Sequence, residues 1–141
     1  MKEQNYKNHR QLVPGYHGLT LLLVIAFLIG SIRNFYLNTT DKYNASLLVA
    51  AAIILASLYY YTRAFALRAQ DRAIRAEEQL RYFILTGQRL DQRLTTNQII
   101  ALRFASDEEF PSLVRKALDE NLKPDEIKKS VKSWRADWHR V

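Results

Sequence analysis

Two apolar blocks separated by a short polar segment dominate the first half of the chain. The first occupies residues 18–37 and is uncharged up to Ile32, while the second occupies residues 45–62 and is uncharged throughout. About 20 helical residues, rising roughly 1.5 Å each, cover the hydrocarbon core of a bilayer. The pattern therefore predicts two transmembrane helices at these positions, joined by a loop at 38–44.

Two other interpretations of these blocks stay open. A buried hairpin of a soluble protein would have similar composition, and a cleaved signal peptide would place an apolar block near the N-terminus. The tail at 1–17 is long for a signal peptide, and no Ala-x-Ala motif follows the first block. Tyrosines border the blocks, Tyr16 before the first and Tyr59, Tyr60 and Tyr61 in the second, as is typical of membrane interfaces. These features favour two spans.

The distribution of basic residues predicts how the spans are oriented. Lys2, Lys7 and Arg10 precede the first span, and seven arginines lie between residues 62 and 93. Lysine and arginine accumulate on the cytoplasmic side of membrane proteins. We therefore expect a multi-pass protein with both termini in the cytoplasm and the loop at 38–44 outside.

Small residues predict how the two spans pack on each other. Ala26 and Gly30 in the first span, and Ala52 and Ala56 in the second, form small-x-x-x-small pairs that allow close approach of helices. In an antiparallel hairpin Ala26 would lie level with Ala56, and Gly30 with Ala52. The alternative is that alanine is simply common in membrane helices.

The second span is predicted to continue without a break into a cytoplasmic helical extension at 63–94. Apolar residues recur there in steps of three and four, as in a heptad repeat. We call these positions the alanine seam: Ala66, Ala69, Ala73, Ala76, Leu80 and Phe83. A seam of small residues predicts a closely packed partner, which would be the folded-back tail, a second copy or another protein. The alternative is a solvated stalk.

Four arginines of the extension are expected to meet anionic lipid headgroups. Arg63 lies at the end of the second span, and Arg68, Arg72 and Arg75 are assigned to the side of the helix opposite the seam. Each basic residue near an anionic membrane surface contributes about 1 kcal/mol. The predicted partners are thus an anionic bilayer and a protein or second copy.

The remaining residues, 95–141, predict three short helices after a break at Gly87. Thr95 or Thr96 can cap the first, with Ile99 and Leu102 facing inward and Ile100 as a further candidate. Ser106 and Glu109 have capping-box spacing before a helix that starts near Phe110 and Pro111. Pro124, followed by Asp125 and Glu126, is expected at the first position of the third helix, where proline is common. Apolar spacing then predicts one helix through Ile127, Val131, Trp134, Trp138 and Val141.

Fewer than 50 residues in short helices make a thin core. We therefore expect this C-terminal subdomain to pack on something else. Trp134 and Trp138 are large residues of the kind that the alanine seam lacks, so both are candidates for docking onto it. The alternative for each tryptophan is a place in the subdomain's own core.

Composition disfavours several chemistries. The chain has no cysteine, which removes disulfides and thiolate sites. His9, His17 and a distant His139 would have to converge to hold a metal or haem, and Asp107, Glu108 and Glu109 are better explained by helix capping than by acid–base catalysis. From Thr95 onward the sequence contains nine basic and eight acidic residues, and this nearly even balance does not indicate a nucleic-acid-binding surface. We expect no cofactor, no metal and no enzymatic activity.

Several segments carry a resemblance to a known family. The stretch QNYKNHRQLVPGYH, the two apolar blocks, and the elements IIALRFASDEE and IKKSVKSWRADWHRV resemble an uncharacterised family of small bacterial inner-membrane proteins. The resemblance covers nearly the whole chain and implies an all-α membrane protein with two spans and a cytoplasmic helical tail. It implies location in the bacterial inner membrane and no particular activity.

Two function classes follow from these features. One is a non-catalytic membrane adapter or accessory subunit that binds a partner, or itself, through the alanine seam and the Trp-containing tail. The other is a component of an oligomeric channel or transporter for small solutes. The spans carry no ionisable residue in their interior, and such residues usually mark solute pathways. This favours the adapter.

Overall fold

The computed structural model of the chain describes residues 4–9 and 12–137. Within these ranges every regular element is helical, which confirms the all-α prediction. The chain separates into two compact units, one formed by Leu12–Ala66 and the other by the chain from Leu67 onward together with the N-terminal tail. The helices are α1 (Leu21–Leu37), α2 (Lys42–Thr86), α3 (Thr96–Leu102), α4 (Phe110–Asp119) and α5 (Pro124–Ser130), with a π-helical segment at Gly15–Thr20 leading into α1.

Two helical segments, one within the first unit and one that begins in it, are long and apolar enough to cross a membrane. They are Gly15–Leu37 and Lys42–Thr86, whose most apolar stretches have mean hydropathies of 1.9 and 1.7. Only 6% and 11% of those stretches are buried, whereas a core helix of a soluble protein would be mostly buried. Most of the apolar surface of this unit is thus left uncovered by its own chain.

Paired tyrosines join the two helical segments of the first unit. The rings of Tyr16 and Tyr59 stack with centroids 4.4 Å apart. The Tyr16 hydroxyl donates to the Tyr59 carbonyl, and the Tyr59 hydroxyl donates to the Tyr16 carbonyl at 3.2 Å. These reciprocal bonds satisfy both phenols where they leave the apolar region.

The predicted contact through Ala26 and Gly30 is wrong. Both residues are exposed, and a Cβ added at Gly30 would meet no atom within 4 Å. The small residue that α1 does bury is Ser31, while Ala52 is fully buried on α2 and Ala56 partly buried. In a helix rich in small residues, such pairs occur on several faces, so their spacing alone does not select the face that packs.

Helix α2 is a single uninterrupted helix of 45 residues. It ends at Thr86, where Gly87 takes a left-handed conformation with φ of +70°. The Gly87 amide donates to the Phe83 carbonyl at 2.8 Å. Glycine reaches this backbone region without steric cost, which makes it a common helix terminator.

The second unit has a well-defined hydrophobic core despite its small size. Thr95 caps α3 in a capping box with Gln98, and Ile99 and Leu102 point inward as predicted, with Ile100 partly buried. The side-chain amide of Gln98 also donates to the carbonyl of Leu122 at 2.9 Å, joining α3 to the loop before α5. The largest fully buried side chains are Phe104, Phe110, Ile99, Leu102, Ile127 and Val114.

Helix α4 begins at the predicted position, but the contacts at its start differ from the predicted ones. Helix α4 starts at Phe110 with Pro111 in its first turn, yet the predicted capping box between Ser106 and Glu109 is wrong. The Glu109 carboxylate instead accepts hydrogen bonds from the amides of Lys132 and Ser133, at 3.1 and 3.2 Å. This contact joins the start of α4 to the segment after α5.

The last helix is shorter than its apolar spacing predicts. Helix α5 starts at Pro124, as expected, but ends at Ser130, because Val131 adopts an extended conformation with ψ of 121°. Trp134 then forms an isolated antiparallel bridge with Ala105. Val131 and Trp134 therefore pack on the core from an extended, non-helical segment. Trp138 and Val141, also assigned to this helix, lie outside the described residues.

An N-terminal segment completes the second unit. Gln4 is buried and accepts a hydrogen bond from the Asp137 amide at 2.8 Å, and the Tyr6 hydroxyl donates to the Asp125 carboxylate at 2.8 Å. The His9 ring lies 5.7 Å from Phe104 and 5.9 Å from Trp134, centroid to centroid. Residues 4–9 therefore belong to the same folded unit as the C-terminal helices.

Candidate interaction site on helix α2

One side of α2 is covered by the C-terminal helices of its own chain. Ile74, Glu78 and Tyr82 are buried at successive turns, and Tyr82 lies edge-on to Phe110 with centroids 5.9 Å apart. A spacing of four residues places these side chains on one side of a helix. The core of the second unit is thus built on this side of α2, which we call the covered face.

Arg81 connects the covered face to the loop before α4. Its guanidinium binds Glu78 at 2.9 Å, Asp107 at 2.7 Å and the Ala105 carbonyl at 2.7 Å. It also lies over the Phe110 ring, 4.4 Å from the centroid. A planar guanidinium can make all four contacts at once, which lysine cannot do. Asp107 and Glu109 therefore have structural partners, at Arg81 and at the segment after α5.

Glu78 is a carboxylate buried beneath this cluster. Burial raises its pKa above the ordinary value, while the hydrogen bond from Arg81 and the charges of Arg81, Arg135 and Arg103 act in the opposite direction. Arg135 approaches to 3.9 Å. Because desolvation is the larger effect, the folded state holds a proton on Glu78 to higher pH than the unfolded chain does.

A cleft of about 430 Å³ lies beside Glu78. Arg103 pairs there with Asp137 at 2.9 Å and lies over the Phe104 ring, and the buried Oε1 of Gln70 has no hydrogen-bond partner among the described residues. The cleft's acidic and basic groups largely neutralise one another. Its lining consists of Gln70, Ala73, Ile74, Glu77, Glu78, Arg103, Arg135, Ala136 and Asp137.

The opposite side of α2 is apolar and open. Leu80, Phe83 and Ile84 are 60%, 51% and 72% exposed. We call this the exposed face; it consists of Ala69, Ala73, Ala76, Leu80, Phe83 and Ile84. It contains most of the alanine seam, with Ile84 added, and the first seam residue, Ala66, is partly buried in the other unit.

Docking of Trp134 onto the alanine seam within one chain, part of one predicted alternative, is wrong. Trp134 packs against Phe104, with centroids 4.8 Å apart, and Ala73 and Ala76 are exposed. The tail uses the covered face instead, because Tyr82 and Ile74 there supply larger apolar contacts and Arg81 supplies an ion pair. Trp138, the other proposed docking residue, lies outside the described residues. A partner in trans stays a prediction.

The chain beyond Gly87 forms a groove along the exposed face. The groove has a volume of about 740 Å³ and is open to solvent. It is lined on one side by Ala76, Gln79, Leu80 and Phe83 of α2, and on the other by Arg89, Leu90, Asp91 and Gln92. Half of these lining residues are apolar and half are polar or charged, and mixed surfaces of this kind are common at protein interfaces.

The predicted headgroup-binding arginines are accessible. Arg68, Arg72 and Arg75 are exposed and Arg63 is partly exposed. Arg72 immediately precedes Ala73 and therefore flanks the exposed face, so its assignment to the opposite side is wrong. Contact of these arginines with lipid stays a prediction.

His9 and His17 belong to different units and have different surroundings. His9 packs among Tyr6, Phe104 and Trp134, whereas Nδ1 of His17 accepts a hydrogen bond from the Val13 amide at 3.0 Å. His139 lies outside the described residues. Among the residues that are described, no three potential ligands converge on a metal site.

Comparison with known proteins gives a family and no activity. No curated protein and no solved structure matches the chain significantly. A family of unknown function, DUF6526, matches residues 1–141, the whole chain. The protein therefore belongs to the DUF6526 family.

Proposed function

We propose that this protein is a non-catalytic membrane adapter. Its two apolar segments anchor it in the bilayer, and its second unit presents the exposed face of α2 to a protein partner. The observation that carries the proposal is that this unit completes its own core and still leaves Leu80, Phe83 and Ile84 mostly exposed. Contiguous exposed apolar side chains in a water-soluble unit mark interaction surfaces.

Exposed apolar side chains of the first unit support the membrane anchor. Leu22, Ile29 and Ile54 are each more than half exposed. Water contact costs about 25 cal/mol per Å² of apolar surface, whereas lipid removes that cost. Spans at 18–37 and 45–62 would place these residues in the hydrocarbon.

The N-terminal segment supports a location of both termini on one side of the membrane. Residues 4–9 pack with the C-terminal helices in a single unit, through Tyr6, His9 and Gln4. Two proposed spans would return the chain to its starting side, which is consistent with this packing. The arginines after residue 62 favour the cytoplasm, and the family resemblance implies the bacterial inner membrane.

The channel or transporter alternative has less support. Neither span interior has an ionisable side chain, and Ser31 is the buried polar residue of α1. The hydroxyl of Ser31 donates to the Leu28 carbonyl of its own helix at 2.9 Å. Its hydrogen is therefore not available to bind a solute. The exposed face lies instead in the second unit, where an adapter would bind.

Photo-crosslinking in native membranes tests the adapter. A photoreactive amino acid at Leu80 of the full chain should give a protein adduct, because a bound partner covers that position. The matched control is the same substitution at Arg75, which is also exposed but lies off the exposed face. Absence of an adduct at Leu80, or equal adducts at both positions, would overturn the proposal.

Reporter fusions test the topology separately. Fusions before residue 1 and after residue 141 should both report the cytoplasm, and an insertion near Thr40 should report the external side. Opposite locations for the two ends would contradict both the two-span anchor and the association of residues 4–9 with the C-terminal helices in the membrane-bound protein.

A further inference from the structure

We propose that the partner at the exposed face of α2 is a second copy of this chain, with the two α2 helices parallel and in register. This proposal rests on the proposed membrane anchor, and it names the partner of the same site. It assigns the interface to the cytoplasmic part of α2, between Leu67 and Thr86.

The residues of the exposed face have the spacing of a two-stranded coiled coil. Ala69, Ala73, Ala76, Leu80 and Phe83 follow one another at alternating steps of four and three residues. In heptad notation Ala73 and Leu80 are a positions, and Ala69, Ala76 and Phe83 are d positions. These positions form one continuous apolar strip suited to a helix of the same kind.

The chain's own C-terminal helices leave that strip free. Glu78 occupies an f position, and Ile74 and Arg81 occupy b positions, on the side of a helix away from a and d. All three lie on the covered face. The C-terminal helices thus leave the a and d positions to a partner, and residues 89–92 and 135–137 border the strip along the groove and the cleft.

Membrane anchoring fixes the relative direction of two copies. Copies inserted with the same topology have α2 helices that leave the bilayer in the same direction. A closed dimer then has a two-fold axis, and each seam residue meets its own counterpart, Leu80 with Leu80 and Phe83 with Phe83. Alanines at three of the a and d positions allow close approach of the two helices.

The flanking charges match a parallel arrangement. Arg72 precedes an a position and Glu77 follows a d position, so they are g and e residues five positions apart. In a parallel coiled coil a g residue faces the e residue five positions later on the partner. Arg72 of each copy would thus meet Glu77 of the other, giving two ion pairs. Both residues are exposed, and neither forms an ion pair within the described part of its own chain.

Confinement to the bilayer compensates for the small size of the seam. The strip is less than three heptads long and contains several alanines, which would make a weak dimer of free helices in water. Anchoring both copies in one membrane raises their effective concentration and aligns them before they meet. Leu80, Phe83 and Ile84 then supply the large apolar contacts at the end farther from the spans.

Disulfide trapping tests the register directly, because the chain has no cysteine of its own. Leu80→Cys and Phe83→Cys should each form disulfide-linked homodimers on mild oxidation in native membranes, since a and d counterparts lie within the Cα separation of about 4.4–6.8 Å that a disulfide needs. Arg75→Cys is the matched control and should stay monomeric. An unchanged protease pattern for each variant verifies that the second unit is folded.

Charge reversal tests the partner contact independently. In the Phe83→Cys background, Arg72→Glu should place like charges together at two points and reduce the dimer yield about fivefold. Glu77→Arg should act in the same way, and the double variant Arg72→Glu with Glu77→Arg should restore the yield. Restoration requires that the two residues meet across the interface.

The outcomes separate this proposal from the adapter. Homodimers at Leu80 and Phe83, with recovery in the charge swap, support the second copy. If Leu80 photo-crosslinks to a different protein while the cysteine variants stay monomeric, the second copy is excluded and the adapter stands. Absence of any adduct or dimer at these positions overturns both. Dimers that form equally at Arg75 overturn the parallel register.

Discussion

The two units use the same apolar residue types in opposite ways. In the second unit Phe104 and Phe110 are fully buried, whereas in the first unit Leu22 is 64% exposed and Ile29 62% exposed. Composition alone does not separate them, but burial does. The second unit carries its own core, whereas most of the apolar surface of the first unit is exposed, and under the proposed membrane anchor that surface meets lipid.

Helix α2 shows the same difference on its two faces. On the covered face, Glu78 and Arg81 are charged and yet nearly buried, because they neutralise each other at 2.9 Å. On the exposed face Leu80 and Phe83 are apolar and open. An ordinary amphipathic helix buries its apolar face and exposes its charged face. In this part of α2 the charged residues are buried and the apolar residues are exposed. This reversal is the observation that supports the proposal of a partner at the exposed face.

The largest loss of stability is expected from a substitution that disrupts the core of the second unit. Phe104→Ala should cost about 3–5 kcal/mol, because it removes a fully buried ring that packs against Trp134 and His9. Residues after Thr86 should become sensitive to protease while the first unit stays intact. Leu22→Ala, at an exposed position of the first unit, should change stability by less than about 0.5 kcal/mol. Equal sensitivity of the two variants would remove the difference between the units.

A smaller effect is expected from the buried ion pair. Arg81→Ala should cost about 3 kcal/mol near neutral pH, because it leaves the Glu78 carboxylate buried without its closest partner. Thermal unfolding of the full chain in mild detergent, followed by circular dichroism, measures this loss. Arg75→Ala, an exposed position, is the control and should have little effect.

The loss in Arg81→Ala should depend on pH. The pKa of Glu78 is raised, so its contribution favours the folded state below the ordinary carboxyl pKa and is lost as the pH rises through the raised value. Removing Arg81 takes away the hydrogen bond and charge that lower this pKa, which raises it further. The variant should therefore be closer to the parent at about pH 5 than at about pH 7.5. A deficit that grows in acid would contradict this account of Glu78.

The smallest effect distinguishes two faces within the first unit. Ala52→Leu should destabilise the hairpin by about 1–3 kcal/mol, because Ala52 is fully buried and added bulk has no room. Gly30→Leu should be tolerated, since a side chain at Gly30 enters open space. Thermal stability in detergent ranks the two variants. The reverse ranking would mean that the helices pack through Gly30 after all.

Local signals were enough to predict the boundaries of most helices. Gly87 ends α2 and Pro124 begins α5, because each residue has a backbone preference that few neighbours can override. Thr95 caps α3 for a similarly local reason, a side chain that accepts from a nearby amide. The apolar seam was also visible, because the heptad spacing is a property of one helix alone.

Long-range contacts were not predictable in this way. Tyr6 bonds to Asp125 and His9 packs on Phe104, but no local pattern connects positions so far apart in the chain. Glu78 and Arg81 have the composition of a solvated helix, and only the packing of α4 and its loop makes them part of the covered face. The spacing of Trp134 from the preceding apolar residues predicts a helix. Trp134 instead lies in an extended segment, where it forms a backbone bridge with Ala105.

Cysteine accessibility in native membranes tests the central claim most directly. The claim is that the exposed face of α2 is covered by a partner when the protein is in its membrane, although its own chain leaves it open. A membrane-impermeant maleimide, added to inside-out vesicles, should label Leu80→Cys much more slowly than Arg75→Cys, and dilution into denaturing detergent should equalise the two rates. Equal, rapid labelling of both positions in intact vesicles would contradict the claim and leave α2 as a solvated stalk.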